Sequence, residues 1–143
     1  MNNITIYTDG AYSPVKDQGG IGVIFVYNGI ELKSYNKMFK HVTNNKMELS
    51  AVIIALQTVL KNNLGPEIVI MTDSQYVIGC ATKGWKRNKN IKLWDRYDKI
   101  KKELDNKKII VKFNWIHGHQ GDEFNELADK LAVAASQEVD MDL

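Results

Sequence analysis

Four acidic residues stand where a fold could gather them: Asp9, Glu48, Asp73 and Asp129. Each sits in a short signature: Thr8-Asp9-Gly10, Asn44-Asn45-Lys46-Met47-Glu48-Leu49, Thr72-Asp73-Ser74-Gln75 and Asn125-Glu126-Leu127-Ala128-Asp129. Asp9 and Asp73 end apolar strand-like runs; Glu48 and Asp129 fall on helix-like patterns. Four carboxylates turned toward one point repel one another, so such a cluster persists only when cations hold it. Ligands made only of oxygen select hard ions, Mg²⁺ or Mn²⁺. The chemistry outlined is displacement at a phosphodiester assisted by two metal ions.

The elements between these acids must bring them together. Ile4, Ile6 and Thr8 alternate with Thr5, Tyr7 and Asp9, which predicts a strand ending at Asp9. Residues 11–19, with Ser13-Pro14 and Gly19-Gly20, read as a turn. Strands follow over 21–27 and 30–39, joined by Asn28-Gly29, a type I′ hairpin signal. Leu49, Val52, Ile53, Leu56 and Leu60 have helical spacing, with Thr43, Asn44 or Asn45 able to cap the start. Asn62-Asn63-Leu64-Gly65-Pro66 ends that helix.

Ile68-Val69-Ile70-Met71 is wholly apolar, as in a central strand covered on both faces. Ser74 caps a helix reaching about Lys83, and a basic turn at 86–90 leads to a helix over 91–106. A fifth strand spans 109–115. The loop His117-Gly118-His119-Gln120-Gly121 precedes a last helix over 122–137. The order βββαβααβα predicts an α/β fold, a five-stranded mixed sheet flanked by helices. One domain is expected over 1–137, with an acidic tail at 138–143. Carboxylates at strand ends fit an open α/β sheet, whose sites lie beyond the carboxyl ends of its strands.

Composition narrows the class. The 143 residues suffice for one buried core, and 44% hydrophobic with 25% charged residues is ordinary for a globular protein. No apolar run nears the roughly 20 residues of a membrane span, so no membrane partner is expected. Met1-Asn2-Asn3 runs straight into a strand pattern without an export leader. The single Cys80 precludes an internal disulfide and fits a reducing compartment, so a cytoplasmic location is expected. Three histidines and one cysteine cannot form a Cys/His zinc cage.

The net charge of +2 hides an asymmetry. Residues 83–108 hold eleven Lys/Arg against four Asp/Glu, a net of +7, which leaves −5 elsewhere. A basic segment beside an acidic site suits a polyanionic substrate, one region gripping phosphates while the acids hold metal. A solvated helix face is the competing account.

Taken in order, these motifs resemble type 1 ribonuclease H. The resemblance runs from Ile4 to about Ala135. It is carried by Tyr7-Thr8-Asp9-Gly10, Thr43 through Leu49, Thr72-Asp73-Ser74-Gln75-Tyr76-Val77, and Gly118-His119 followed by Asn125 through Asp129. It implies a ribonuclease H-like fold and an endoribonuclease that cleaves the RNA strand of RNA–DNA hybrids with Mg²⁺, leaving 5′-phosphate and 3′-hydroxyl ends. It implies that Asp9 bridges two ions, Glu48 and Asp73 serve the nucleophile side, and Asp129 serves the leaving-group side. His119 would assist proton transfer or product and metal release, a task suited to an imidazole, and Asn125 would orient the cluster or a water. His41 and His117 have weaker claims.

The resemblance also implies substrate contacts. Gly10, Glu48, Asn44, Asn45 and Gln75 would read the RNA strand across the minor groove, where 2′-hydroxyls are displayed. Thr43 and Asn90 would hold a phosphate of the DNA strand. An arginine often stands two residues before that threonine; this chain has His41. Larger members carry an extra helix in a basic, tryptophan-containing handle. Here Gly84-Trp85-Lys86-Arg87-Asn88-Lys89-Asn90 compresses it, with Lys86, Arg87 and Lys89 as phosphate contacts. Trp94 and Trp85 read as core residues, Trp85 alternatively as a duplex contact. A monomer without an obligate protein partner is expected. The rival accounts are a related metal-dependent DNA nuclease and a non-catalytic hybrid-binding module.

Overall fold

A computed structural model of the chain describes residues 3–117 and 122–139. Three strands open it, β1 (Asn3–Ser13), β2 (Gln18–Tyr27) and β3 (Ile30–Lys40), paired as an antiparallel meander. Asn28 and Gly29 between β2 and β3 both have positive φ, 51° and 75°, as a type I′ turn requires. Then come α1 (Asn44–Asn62), β4 (Glu67–Thr72), α2 (Gln75–Thr82), α3 (Ile91–Asn106), β5 (Ile110–Trp115) and α4 (Glu123–Ser136). β4 pairs parallel with β1, and β5 parallel with β4, so the sheet order is β3-β2-β1-β4-β5. The predicted element order is the observed one.

The sheet has two unequal faces. On one, α1 buries Leu49, Val52 and Leu56 against Ile4, Ile6, Ile21, Val23, Ile68 and Ile70. Each such side chain contributes about 1.5–3 kcal/mol on burial. α3 packs against α1 and adds Trp94, Tyr97, Ile100 and Leu104 to this core. On the other face α4 packs mainly across β2, β1 and β3, over a smaller cluster of Ile24, Val26 and Ala128 flanked by Tyr7 and Phe124.

Two expectations change. β1 does not end at Asp9 but runs on to Ser13: residues 11–13 and 18–20 are strand, not turn, and Ser13 still pairs with Gln18. Gly19 and Gly20 are there because helices press on the sheet: a Cβ on Gly20 would stand 2.2 Å from the Ala132 carbonyl oxygen. β4 is not covered evenly. Its burial alternates, with Ile68 and Ile70 sealed and Val69 and Met71 only half-buried, because α4 packs mainly on β1, β2 and β3.

Candidate active site

The centre lies within β1, just past the last residue it pairs with β4, Tyr7. Asp9 is buried (4% exposed) and its Oδ1 accepts the Gly10 amide at 3.0 Å. Opposite it on β2 is Gly22. A Cβ on Gly22 would lie 2.2 Å from the Ala128 carbonyl oxygen, so this glycine lets α4 lie close to the sheet one residue before Asp129. Asp122 fixes the start of that helix, its Oδ1 accepting the Phe124 and Asn125 amides at 3.1 and 3.0 Å. Asn125 is buried one turn before Asp129.

Glu48 comes from the first turns of α1. Thr43 caps this helix, its hydroxyl accepting the Lys46 amide at 3.1 Å. A Cβ on Gly10 would stand 2.5 Å from the Glu48 nitrogen, so glycine again allows the approach. Glu48 is therefore buried at 7% exposure rather than a solvated first-turn acid. Asp73 follows the end of β4, between Thr72 and Ser74, the cap of α2. Its main-chain carbonyl accepts the Trp115 indole N–H at 3.2 Å.

Asp9, Glu48 and Asp73 each offer an oxygen within 4.8 Å of the others. Asp129 lies beside Asp9, on which both its charge and a hydrogen bond act. Burial first, then the Asp73 charge, pushes the Asp9 carboxyl up to about 8. Burial, then the charges of Asp9 and Asp73, raises Glu48 well above the usual carboxylate range. Among the described residues, Thr8 Oγ1 and Glu48 Oε1 are the buried side-chain oxygens left without a hydrogen-bond partner. A carboxylate oxygen buried without a donor, inside a cluster of like charge, fits a divalent cation.

The other sequence-predicted residues separate into groups. Thr43, Asn44, Asn45, Lys89 and Asn90 line one cavity of about 340 Å³, together with Tyr76. Gln75 lines another of about 220 Å³, with Ile78, Lys83, Trp85 and Trp115. Trp94 is core, whereas Trp85 is 47% exposed. The Trp85 ring lies on Gly79, where a Cβ would come within 2.1 Å of it.

Lys86 and Lys89 are exposed and make no ion pair among the described residues. Arg87 is engaged inside the protein: Nη1 to Asp98 at 2.6 Å, Nε to the Cys80 carbonyl at 3.2 Å, and the guanidinium 4.4 Å over the Trp94 ring. His41 turns away to Asp17, Nδ1 to Oδ2 at 2.7 Å. His117 stacks on Trp115 with centroids 3.9 Å apart. His119 lies outside the described residues.

Sequence reasoning did not find Tyr76, Trp115 or Gly22. Tyr76 stood inside a quoted motif, but its partners, Asn90 and Trp94, are 14 and 18 residues away. Gly22 carried no signal except its neighbours Gly19 and Gly20, which looked like a turn.

The sequence profile of the RNase H family matches residues 1–137. A ribonuclease H of Desulforamulus reducens is 41% identical over all of this chain and 93% of its own length. One of Trichodesmium erythraeum is 40% identical, over 96% of this chain and 91% of its own. In structure, the chain is similar to the N-terminal RNase H domain of a Mycobacterium tuberculosis protein, solved as a fusion with maltose-binding protein. That likeness has a TM-score of 0.78 at 21% identity and covers 95% of this chain and 94% of that one. With the acidic cluster around Asp9 of β1, these likenesses settle the family: the chain belongs to the ribonuclease H family.

Proposed function

We propose that this protein is an endoribonuclease that hydrolyses the RNA strand of RNA–DNA hybrids, leaving 5′-phosphate and 3′-hydroxyl ends. The observation that carries the reading is Asp9, Glu48 and Asp73 within 4.8 Å, with Glu48 Oε1 buried and unpartnered. The ion is Mg²⁺, with Mn²⁺ able to replace it. Asp9 would hold both of two ions, Glu48 and Asp73 one, and Asp129 the other. Such ions, when bound, lower the pKa of water and stabilise the attacking and leaving oxygens.

The chain's own residues do the remaining work. Gly10 and Gly22 keep backbone close enough for the four acids to converge. Trp115 holds the Asp73 main chain, and Asn125 orients the cluster. His119 moves a proton at the leaving group or eases product release. Asn44, Asn45 and Gln75 are exposed, near Glu48 and Asp73 in sequence, and would meet the 2′-hydroxyls of RNA. The Thr43–Asn90 cavity takes a phosphate of the DNA strand, and Lys86 adds sequence-independent grip.

No helix among the described residues is long and apolar enough to cross a membrane. A monomer working in the cytoplasm as a single catalytic domain over 1–137 is part of the same proposal.

The test is cleavage of an end-labelled RNA–DNA hybrid with Mg²⁺, beside RNA–RNA, DNA–DNA and single-stranded RNA. Wild type should cut only the hybrid's RNA strand, and Asp9→Asn should cut nothing. Cleavage of duplex DNA would move the protein to the metal-dependent DNA nucleases. Hybrid binding without cleavage in either metal would make it a binding module.

A further inference from the structure

Resting on the hybrid-cleavage reading, we propose that the Tyr76 hydroxyl and the Lys89 ammonium are the groups that read the DNA-strand phosphate, Lys89 supplying the positive charge that residue 41 does not. The argument starts from hydrogen-bond capacity. A phenol has one O–H to give and two lone pairs to receive with. The Tyr76 oxygen receives the Asn90 amide N–H and the Trp94 indole N–H, both at 3.0 Å. Its two lone pairs are thus engaged by donors, and its own hydrogen remains unused.

Tyr76 lines the 340 Å³ cavity, so that hydrogen has a place to go. The Thr43 hydroxyl, whose oxygen already accepts the Lys46 amide, likewise has its hydrogen to spare. No carboxylate lines the cavity. A cavity lined by surplus donors calls for an acceptor-only ligand, and a phosphodiester is one.

The source of positive charge is fixed by what the other cations do. His41 is tied to Asp17 twice, by its ring at 2.7 Å and by its main-chain N–H to the Asp17 carbonyl at 3.0 Å. Both residues hold positive φ, 56° and 48°, so the bend that aims the imidazole away is built into the backbone. His41 does not line the cavity. Arg87 is spent on Asp98, the Cys80 carbonyl and Trp94. Lys89 is the cation in the cavity wall. The shortened handle thus brings its charge to the pocket through one flexible side chain. A lysine gives a point charge where an arginine would give a planar fork.

The test pairs protein variants with substrate variants. Binding of a hybrid is measured by fluorescence anisotropy in the non-cleaving Asp9→Asn background, and KM and kcat in the wild-type background. DNA strands carry a neutral methylphosphonate at successive positions. Lys89→Ala and Tyr76→Phe should each weaken binding and raise KM by about tenfold, with kcat within about twofold. Lys89→Ala should also lower the salt slope by about one, and Lys89→Arg should restore binding.

At one DNA position the neutral linkage should weaken wild type by the same factor and neither variant further. His41→Ala should stay within about twofold of wild type. The proposal is overturned if either variant loses the same factor at every neutral linkage, the mark of a folding defect. It is also overturned if His41→Ala carries the loss. Failure of wild type to cleave any hybrid would instead count against the hybrid-cleavage reading, and the binding cycle would still report on the phosphate contact.

Discussion

The indole N–H of Trp115 donates to the main-chain carbonyl of Asp73 across 3.2 Å. Thr72 and Trp115 are the last paired residues of β4 and β5, and the Ile116 amide still reaches the Thr72 carbonyl at 2.9 Å. Beyond that point the ladder stops, and a side chain takes over to hold the next peptide, which carries the Asp73 carboxylate.

Trp115→Phe keeps a ring and removes that donor. The Mg²⁺ concentration for half-maximal activity should rise about tenfold, as for other groups that orient metal ligands. Thermal stability should fall by only about 1 kcal/mol. A Mg²⁺ titration beside a thermal melt checks both, and an unchanged Mg²⁺ requirement would refute the role.

Gly22→Ala would place a Cβ 2.2 Å from the Ala128 carbonyl oxygen, so α4 must lift and carry Asp129 away from Asp9. Activity should fall more than about 100-fold and stability by about 2 kcal/mol or more. Gly29→Ala is the contrast, since nothing lies within 4 Å of the added carbon there. It should cost about 1 kcal/mol through positive φ alone and leave activity intact.

In EDTA the stability of the protein should fall as pH rises from about 4 toward 8. Burial, then the charge of Asp73, pushes the folded Asp9 carboxyl up to about 8, far above the ordinary carboxylate range. Its folded form prefers the proton, so its favourable contribution is present below the unfolded value and is lost as pH climbs through the folded one. Glu48 shifts in the same direction. Asp9→Asn should therefore raise the metal-free Tm at pH 8 by several degrees and flatten the pH dependence. A lower Tm for this variant at pH 8 would contradict the repulsion.

Lys86 and Arg87 adjoin in sequence but should behave differently. Arg87→Ala removes the Asp98 pair, the Cys80 carbonyl bond and the cover on Trp94, and should lower stability by about 1–3 kcal/mol. Lys86→Ala should leave the melt unchanged and raise KM at low salt, an effect that fades as salt is added. Melts and KM at two salt concentrations separate them.

The acids were legible because each stands inside its own short motif. The cap at Ser74 follows from local pattern alone, whereas β1 runs past Asp9 to Ser13 because its pairing with β2 continues there. Gly19 and Gly20 misled for a physical reason. Glycine signals a turn when nothing else is known, yet here it marks where α4 and Met47 of α1 press too close for a side chain. The uneven cover on β4 was hidden because an apolar run says nothing of which helix crosses it. The Asp17–His41 clamp could not be read either, since it joins residues 24 apart through two unusual backbone bends.

The docking of α4 on Gly20 and Gly22 has a consequence for the order of events in synthesis. Asp9, Glu48 and Asp73 belong to the first half or so of the chain, whereas Asp129 rides on the last helix. A nascent chain that has paired β1 with β2 and β4 still lacks its fourth acid. Hydrolytic competence would then arise only after α4 leaves the ribosome and settles onto the sheet, so a half-made chain cannot attack the nucleic acids around it.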